Sequence, residues 1–313
     1  MRFNPKSRLD TGRVSDAGRG RSSARSRGGS GSSGLPIPGG AAGGGSVIGI
    51  IIAVVAFVIF SQGGGPDLPG SGGGNGYDAG AFTDTGRYAS CQTGEDANES
   101  ADCARVAVEN SLTEFWAGEL GSTFRPEDRI VTFTGGIDTG CGGATSDVGP
   151  FYCSADETIY LDDAFFEDVL VGQLNGPRGA FVEPYVLAHE YGHHISNLIG
   201  TLAQVTGETG PQSSGVRLEL QADCFAGVWT KHATETEDAE GNVLLLDLSQ
   251  DDIDTALEAA KAVGDDYIQK QSGARVNEEV WTHGSSEQRK KWFTIGYQKG
   301  AMEACNTFDV GTV

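Results

Sequence analysis

The sequence predicts an α+β domain, mainly helical with a small sheet, that follows a single N-terminal transmembrane helix. An uninterrupted apolar run spans residues 47–60, several stretches beyond residue 100 have the apolar spacing of amphipathic helices, and two short stretches are rich in β-branched residues. The region from residue 81 onward is long enough for one domain with a substantial core. The sequence shows no internal repeat.

The N-terminal region is dominated by Gly, Ser and Arg and has no apolar periodicity through residue 46. Such a composition buries too little apolar surface to offset the loss of chain entropy on folding. We therefore expect residues 1–40 to form a disordered, basic tail on the cytoplasmic side.

The apolar run from Val47 to Phe60 predicts a membrane anchor over residues 41–60, because about 20 residues span a bilayer as a helix. A cleaved signal peptide is the alternative, but the leading segment is long and no small-x-small cleavage site follows Phe60. A buried core helix is a second alternative. The basic flank precedes the run and should stay inside, so we expect the domain outside the cytoplasmic membrane, after a Gly-rich linker at residues 61–80.

The six cysteines all follow the predicted anchor. An even number in an oxidising compartment indicates disulfides, although fifteen pairings are formally possible. Zinc ligation by cysteine is the alternative, but the closely spaced pairs lack the C-x-x-C spacing of a structural zinc site. Proximity and elimination favour the pairs Cys91 with Cys103, Cys141 with Cys153, and Cys224 with Cys305.

The net charge is −21, and the region beyond the basic N-terminus contains no run of Lys or Arg. Nucleic-acid binding is therefore disfavoured. A solvated acidic surface is the default interpretation.

The domain, predicted over residues 81–313, contains five helical and two extended patterns. The predicted helices are Ala101–Gly118, Val182–Leu198, Gly215–His232, Asp251–Val263 and Ser286–Ala304, and the predicted strands are Ile130–Thr134 and Thr158–Leu161.

The second predicted helix carries an H-E-x-x-H motif formed by His189, Glu190 and His193. Positions i and i+4 lie one turn apart on one face, so the two imidazoles can bind one zinc ion. Glu190 then lies beside a zinc-activated water and can act as its general base. The four-letter match is only moderately specific, so its context must support it.

A catalytic zinc site usually has three protein ligands. An extended motif with a further His six residues after His193 is absent, because Ile199 occupies that position. The next predicted helix offers Glu219 as third ligand and Asp223 one turn later, where a carboxylate can accept the remaining N–H of a ligating histidine. An exposed, solvated helix face is the alternative for this acidic pair.

A further candidate is His283, which precedes a helix that starts with a capping box of Ser285 and Gln288. A peptidase needs a donor to the developing oxyanion, and His283 is placed to supply one. Tyr160 and Tyr297 are less specific candidates for that role. A purely structural role for His283 is equally compatible with the sequence.

Two other positions in the metal-binding helix have predicted structural roles. His194 points about 100° away from His193 around the helix, which predicts a packing or surface role. Gly192 costs about 1 kcal/mol relative to Ala in a helix interior, which predicts close approach of another element.

The combined motifs resemble gluzincin metallopeptidases, and the longer strings resemble the putative neutral zinc metallopeptidase family of bacteria. The resemblance covers about residues 81–309 and implies a zincin-like fold, peptidase activity and a membrane anchor. Zincins usually place a substrate-pairing edge strand before the metal helix, and the stretch 157–161 fits that place or that of an ordinary core strand. The matching strings are His189 to His194, Glu219 to Gly227, Thr282 to Arg289, Trp292 with Phe293, and Cys305.

These observations predict a membrane-anchored peptidase with one Zn²⁺ per chain, acting on peptide or protein substrates outside the cytoplasmic membrane. Its contacts would be the lipid bilayer and unknown envelope proteins. A catalytically silent zinc-binding domain and an envelope scaffold are the alternatives. Glu190 favours the peptidase, because neither alternative needs a general base.

Overall fold

The computed structural model describes residues 1–19 and 82–313. The strands are β1 (Arg2–Phe3), β2 (Val14–Arg19), β3 (Arg129–Thr134), β4 (Gly136–Thr139), β5 (Gly142–Thr145), β6 (Phe151–Cys153), β7 (Thr158–Asp162) and β8 (Leu245–Asp247). The α-helices are α1 (Gly94–Glu99), α2 (Ala101–Leu120), α3 (Val182–Leu198), α4 (Ser214–His232), α5 (Gln250–Ala262), α6 (Asp265–Gln271) and α7 (Ser286–Lys299). A π-helical segment, Phe165–Val171, follows β7.

The described part of the chain is an α+β fold whose main sheet has the strand order β2-β3-β7-β6. Strands β2, β3 and β7 run parallel, and β6 is antiparallel to β7. Of the two roles left open for residues 157–161, the ordinary core strand is the one observed, because β7 is hydrogen-bonded on both sides. The edge nearest the metal-binding helix is the three-residue strand β6, which was not predicted.

All five predicted helices are present, and α3 has the predicted bounds. The last helix ends at Lys299, before the predicted end at Ala304, because Gly300 takes a left-handed conformation with φ 61°. A short 3₁₀ helix, Met302–Cys305, continues the chain. Helices α1 and α6 were not predicted, since six and seven residues show little periodicity.

The core forms where α4 packs between α3 and α7. Gly192 on α3 lies against α4, and a Cβ at this position would lie 2.9 Å from the Cα of Ala222. The predicted close approach at Gly192 is thus confirmed. A Cβ on Gly296 of α7 would overlap the carbonyl oxygen of Cys224 on α4, so these two helices also meet backbone to backbone.

The predicted disulfides are confirmed in all three pairs. Their S–S distances are 1.99 Å for Cys91–Cys103, 2.08 Å for Cys141–Cys153 and 2.03 Å for Cys224–Cys305. The third bond joins α4 to the chain after α7, which restricts how far these elements can separate.

The first nineteen residues are ordered and belong to the domain, in contrast to the predicted disordered tail. Strand β1 pairs with β8, and β2 forms the outer strand of the main sheet beside β3. Phe3 and Val14 are buried in the core. The strands that pair with β1 and β2 lie more than a hundred positions away in the sequence. The local composition of residues 1–40 therefore did not indicate these contacts.

A buried ionic cluster also ties this segment to the domain. Arg13 donates to Glu109 on α2 over 2.8 Å and lies 4.0 Å from Glu127, and both carboxylates are almost fully buried. Burial and the nearby Glu109 charge raise the pKa of Glu127 well above its usual value. Thr113 donates to Glu109 and contacts the hydroxyl of Tyr191 on α3, so the cluster reaches the metal-binding helix.

In the described ranges, 1–19 and 82–313, no helix combines the length and apolarity needed to cross a bilayer. The predicted anchor at residues 41–60 lies outside these ranges. The predicted topology placed the N-terminal tail and the domain on opposite sides of the membrane. The β2–β3 pairing differs from that prediction, because it places residues 1–19 on the same side as the domain.

We expect Arg13→Gln to lower the free energy of unfolding by about 1–3 kcal/mol, because it removes the cation beside two buried carboxylates. Denaturant unfolding of the full chain measures this loss. Because burial and the Glu109 charge hold the pKa of Glu127 well above its usual value, the part of the deficit that comes from Glu127 should shrink as the pH falls through that raised pKa. Arg2→Gln, at an exposed position in the same segment, is the control. Equal stability of the two variants at neutral pH would contradict the interpretation of this cluster.

Candidate metal centre

Helix α3 brings the two motif histidines to the interior of the domain. His189 and His193 lie one turn apart, with ring centroids 4.8 Å apart and ring planes at 87°. His189 is 6% and His193 8% exposed, so only a small part of each imidazole reaches solvent. Burial in an apolar surrounding lowers the pKa of His193 to about 4, which keeps its imidazole neutral at pH 7.

Glu219 on α4 faces both histidines. The helix begins with Ser213, whose side chain accepts from the backbone N–H of Val216. The Glu219 carboxylate oxygens lie 3.2 Å from Nε2 of His189 and 3.5 Å from Nε2 of His193. Although burial opposes ionisation, His283 and His193 hold the pKa of Glu219 well below its usual value.

This group fits a zinc ion. One ligand atom from each of His189, His193 and Glu219 lies within 4.8 Å of the others. Tetrahedral bonds of about 2.1 Å place neighbouring ligand atoms about 3.4 Å apart, close to both N–O distances given above. Two imidazoles and one carboxylate are also a donor set that zinc prefers and that leaves a fourth position open. Within residues 1–19 and 82–313, no other group of three such side chains lies this close.

Asp223 and Arg289 fix the orientation of His189. Asp223 is fully buried, and its Oδ1 lies 2.9 Å from Nδ1 of His189 and accepts from the hydroxyl of Tyr185 over 2.6 Å. A proton on Nδ1, directed at Asp223, leaves Nε2 free for a metal. Burial opposes protonation of His189, but Asp223 and Glu219 raise its pKa to about 9.

Arg289 on α7 balances the buried Asp223 charge. Its Nε donates to Oδ2 over 2.7 Å, and its Nη2 donates to Oδ1 over 2.9 Å. Burial alone would raise the pKa of Asp223, but Arg289 and His189 lower it to about 2. Sequence reasoning missed Arg289. The available signal was its place in the string starting at Thr282 that resembles the family, one turn after the Ser285 cap.

Glu190 lies beside the metal-ligating group without belonging to it. Its carboxylate is buried and accepts from the backbone N–H of Tyr152 on the edge strand β6. Burial raises the pKa of Glu190 to about 7, a value at which a carboxyl group can both accept and release a proton near neutral pH.

His283 lines the same cavity as the metal-ligating group, as its predicted catalytic role requires. The Asp265 carboxylate holds the loop that carries it by accepting three backbone N–H groups, from Thr282, His283 and Gly284, over 2.7–2.9 Å. Burial opposes protonation of His283, but Glu219 and Asp265 keep its pKa above its usual value.

The remaining candidates lie away from the centre. Tyr160 donates to Asp156, and Tyr297 stacks on Phe293, so neither hydroxyl reaches the metal-ligating group. His194 has a structural role, as predicted: it is fully buried and contacts Tyr152 through Nδ1 and the carbonyl of Arg125 through Nε2.

Comparison with known proteins agrees with this geometry. The family described as "putative neutral zinc metallopeptidase" matches residues 3–308. The chain belongs to this family. The match includes residues 3–19, which the structure places in the domain.

An uncharacterized protein of Mycobacterium tuberculosis is 51% identical over 220 residues, covering 70% of this chain and 74% of the relative. The uncharacterized protein YpfJ of Escherichia coli is 40% identical over 196 residues, covering 61% of this chain and 64% of the relative. No solved structure matches the chain.

We expect Glu219→Ala to lower zinc affinity by more than about 100-fold, because it removes one of three ligands. Loss of a residue that only supports a ligand typically lowers metal affinity by about 10–100-fold, so a larger loss marks a direct ligand. Competition with a chromogenic chelator measures the affinity. The control is Glu258→Ala, at a half-exposed carboxylate on α5. Unchanged zinc affinity in Glu219→Ala would sink the proposed ligand set.

We expect Asp223→Asn to lower zinc affinity by about 10–100-fold, because the amide no longer stabilises the proton on Nδ1 of His189. The variant also leaves Arg289 without its carboxylate, so unfolding should be easier by about 3–5 kcal/mol. Zinc titration and thermal unfolding of the same sample measure both effects. A loss of stability with unchanged zinc affinity would assign Asp223 a role in packing alone.

Proposed function

We propose that this chain is a zinc-dependent peptidase that uses Glu190 as its general base. The observation that carries the proposal is the placement of Glu190: it is buried beside the metal-ligating group, yet does not belong to it. His189, His193 and Glu219 would hold the ion. The bound zinc would supply a Lewis acid that makes water a stronger nucleophile at neutral pH.

Glu190 would move the proton. With its pKa near 7, the carboxylate can take a proton from the attacking water and deliver it to the departing amine. The N–H of Tyr152 holds the carboxylate in place and connects it to the edge strand β6. A movement of this strand would therefore change the direction in which Glu190 points.

His283 would stabilise the negative charge that develops on the carbonyl oxygen of the substrate. Its imidazole lines the wall of the cavity and is 13% exposed, and in such a partly desolvated place a hydrogen bond to a charged oxygen is stronger than in water. Its Nδ1 lies 3.0 Å from the hydroxyl of Thr282 and 3.6 Å from a carboxylate oxygen of Asp265, and the nearby negative charge favours the protonated ring, in which Nε2 also carries a proton to donate.

An extended peptide would lie along the cavity next to β6. Among the described strands, β6 is the end strand of the main sheet, and Phe151 and Tyr152 line the cavity. Pairing with an edge strand binds a peptide through its backbone, which makes affinity largely independent of sequence. Side-chain pockets would then provide any selectivity.

The three disulfides support a location in an oxidising compartment, outside the cytoplasm. The membrane anchor at residues 41–60 stays a prediction, because these residues lie outside the described ranges. The same holds for contact with a bilayer and with envelope proteins.

Glu190→Gln tests the proposal. We expect zinc content to stay at one ion per chain while turnover of a peptide mixture falls by more than about 100-fold, because general base catalysis typically contributes 10²–10⁴-fold. Atomic emission gives the zinc content and mass spectrometry the cleavage products. Glu258→Gln, at a half-exposed carboxylate on α5, is the control. Bound zinc with no cleavage by the wild-type chain would favour the catalytically silent alternative.

A further inference from the structure

A cavity of about 130 Å³ opens directly beside the metal-ligating group. The metal-ligating side chains, together with Glu190 and His283, form one part of its wall. The rest of the wall is almost entirely apolar, which zinc binding and proton transfer do not require. The side pocket is the part of this apolar wall that carries Val169, Leu174, Val186, Val263 and Ile268.

Four elements build the side pocket. Val169 and Leu174 belong to the π-helical segment and the turn after it, and Val186 lies on α3, one turn before Glu190. Val263 and Ile268 come from the end of α5 and from α6. The apolar surfaces therefore enclose a space that begins at the catalytic centre.

The walls are held together by contacts outside the pocket. Asn175 donates to the side chain of Gln271 over 3.2 Å, joining the turn after the π-helical segment to the end of α6. A Cβ at Gly179 would lie 2.7 Å from the methyl group of Thr255, so the same segment also lies close against α5. These contacts keep the side pocket formed without a ligand.

The charged groups of the cavity already have partners. Among the described lining residues, the carboxylates are Glu190 and Glu219, and the guanidinium is Arg289. Arg289 donates to Asp223, and Glu219 faces the two metal-binding histidines. The side pocket therefore has no charge to offer a basic or acidic side chain, and burying an unpaired charge there would be unfavourable.

The size of the space limits the group it can accept. An apolar protein cavity of about 150 Å³ is known to bind benzene. The whole cavity, including the space beside the metal-ligating group, is about 130 Å³, so it accommodates at most one side chain of the size of leucine or phenylalanine. Each buried methylene contributes about 0.8 kcal/mol, so Leu should be favoured over Ala on the order of 10–100-fold.

We propose that the side pocket binds a medium or large apolar side chain of the substrate, on a residue that flanks the scissile bond. This inference rests on the proposed peptidase function. It assigns the substrate class as peptides with Leu, Phe or a similar residue next to the cleaved bond, and it assigns selectivity to Val169 and its neighbours.

The first test uses the zinc-loaded full chain and a set of peptides that differ at a single position. We expect kcat/KM to be at least about 10-fold higher with Leu or Phe at that position than with Ala, Asp or Lys, and cleavage always on the same side of it. Equal rates across the set would overturn the proposal.

The second test narrows the side pocket by Val169→Phe. Cleavage of the Leu and Phe peptides should fall by at least about 10-fold, while the Ala peptide is cleaved as before. Val171→Phe is the matched control, with the same substitution in the same segment at a position that does not line the cavity. Parallel losses for all three peptides, or equal effects of the two variants, would overturn the assignment of Val169.

Failure of the peptidase function itself is distinguished by a binding measurement. The measurement compares the hydroxamates of acetyl-leucine, acetyl-phenylalanine, acetyl-glycine and acetyl-aspartate for binding to the zinc-loaded protein. We expect the leucine and phenylalanine compounds to bind at least about 10-fold more tightly than the glycine compound, even if the protein shows no turnover. Equal affinities for the four hydroxamates would overturn the assignment of the side pocket, whether or not the protein cleaves peptides. If the chain binds no zinc, a toluene titration of the metal-free protein, followed by NMR, replaces this test. Toluene binding that Val169→Phe blocks would support the side pocket. Absence of toluene binding to the wild-type chain would overturn it.

Discussion

The buried carboxylate of Asp223 is the group on which the candidate metal centre depends. An unpaired charge in this position would cost several kcal/mol, and the structure balances it with Arg289 from α7 and directs it at His189 on α3. Three helices therefore meet at one carboxylate. Their backbones approach closely at Gly192 and Gly296, so the geometry of the metal-ligating group is set by the packing of whole helices.

The same packing places the groups that we propose to act on a substrate. Asp265 caps the loop before α7 and holds His283, while Ser285 and Gln288 form the capping box that starts the helix carrying Arg289. Glu190 is held from the other side by β6. The site thus combines a rigid helical part with contributions from one loop and one edge strand, the elements most able to adjust to a bound peptide.

Much of the centre could be predicted from sequence, because the i, i+4 spacing of His189 and His193 and of Glu219 and Asp223 expresses local helix geometry. The role of Arg289 could not, since a lone arginine on a helix indicates a surface position until its distant partner is known. For a related reason, the sequence left open whether residues 157–161 form an edge strand or a core strand. The buried, β-branched pattern of β7 shows a strand but not its neighbours, and β6 is too short to show periodicity.

The N-terminal strand β2 has a consequence for how the domain can be divided. A fragment beginning after residue 81 would contain every catalytic motif, yet it would expose the N–H and C=O groups of β3 and leave Glu109 and Glu127 without Arg13. The unpaired edge of β3 and the carboxylates that lack Arg13 would together form a binding site for the missing strand. Residues 1–19 supplied as a separate peptide would be expected to rejoin the sheet by strand complementation, making the domain a two-piece assembly.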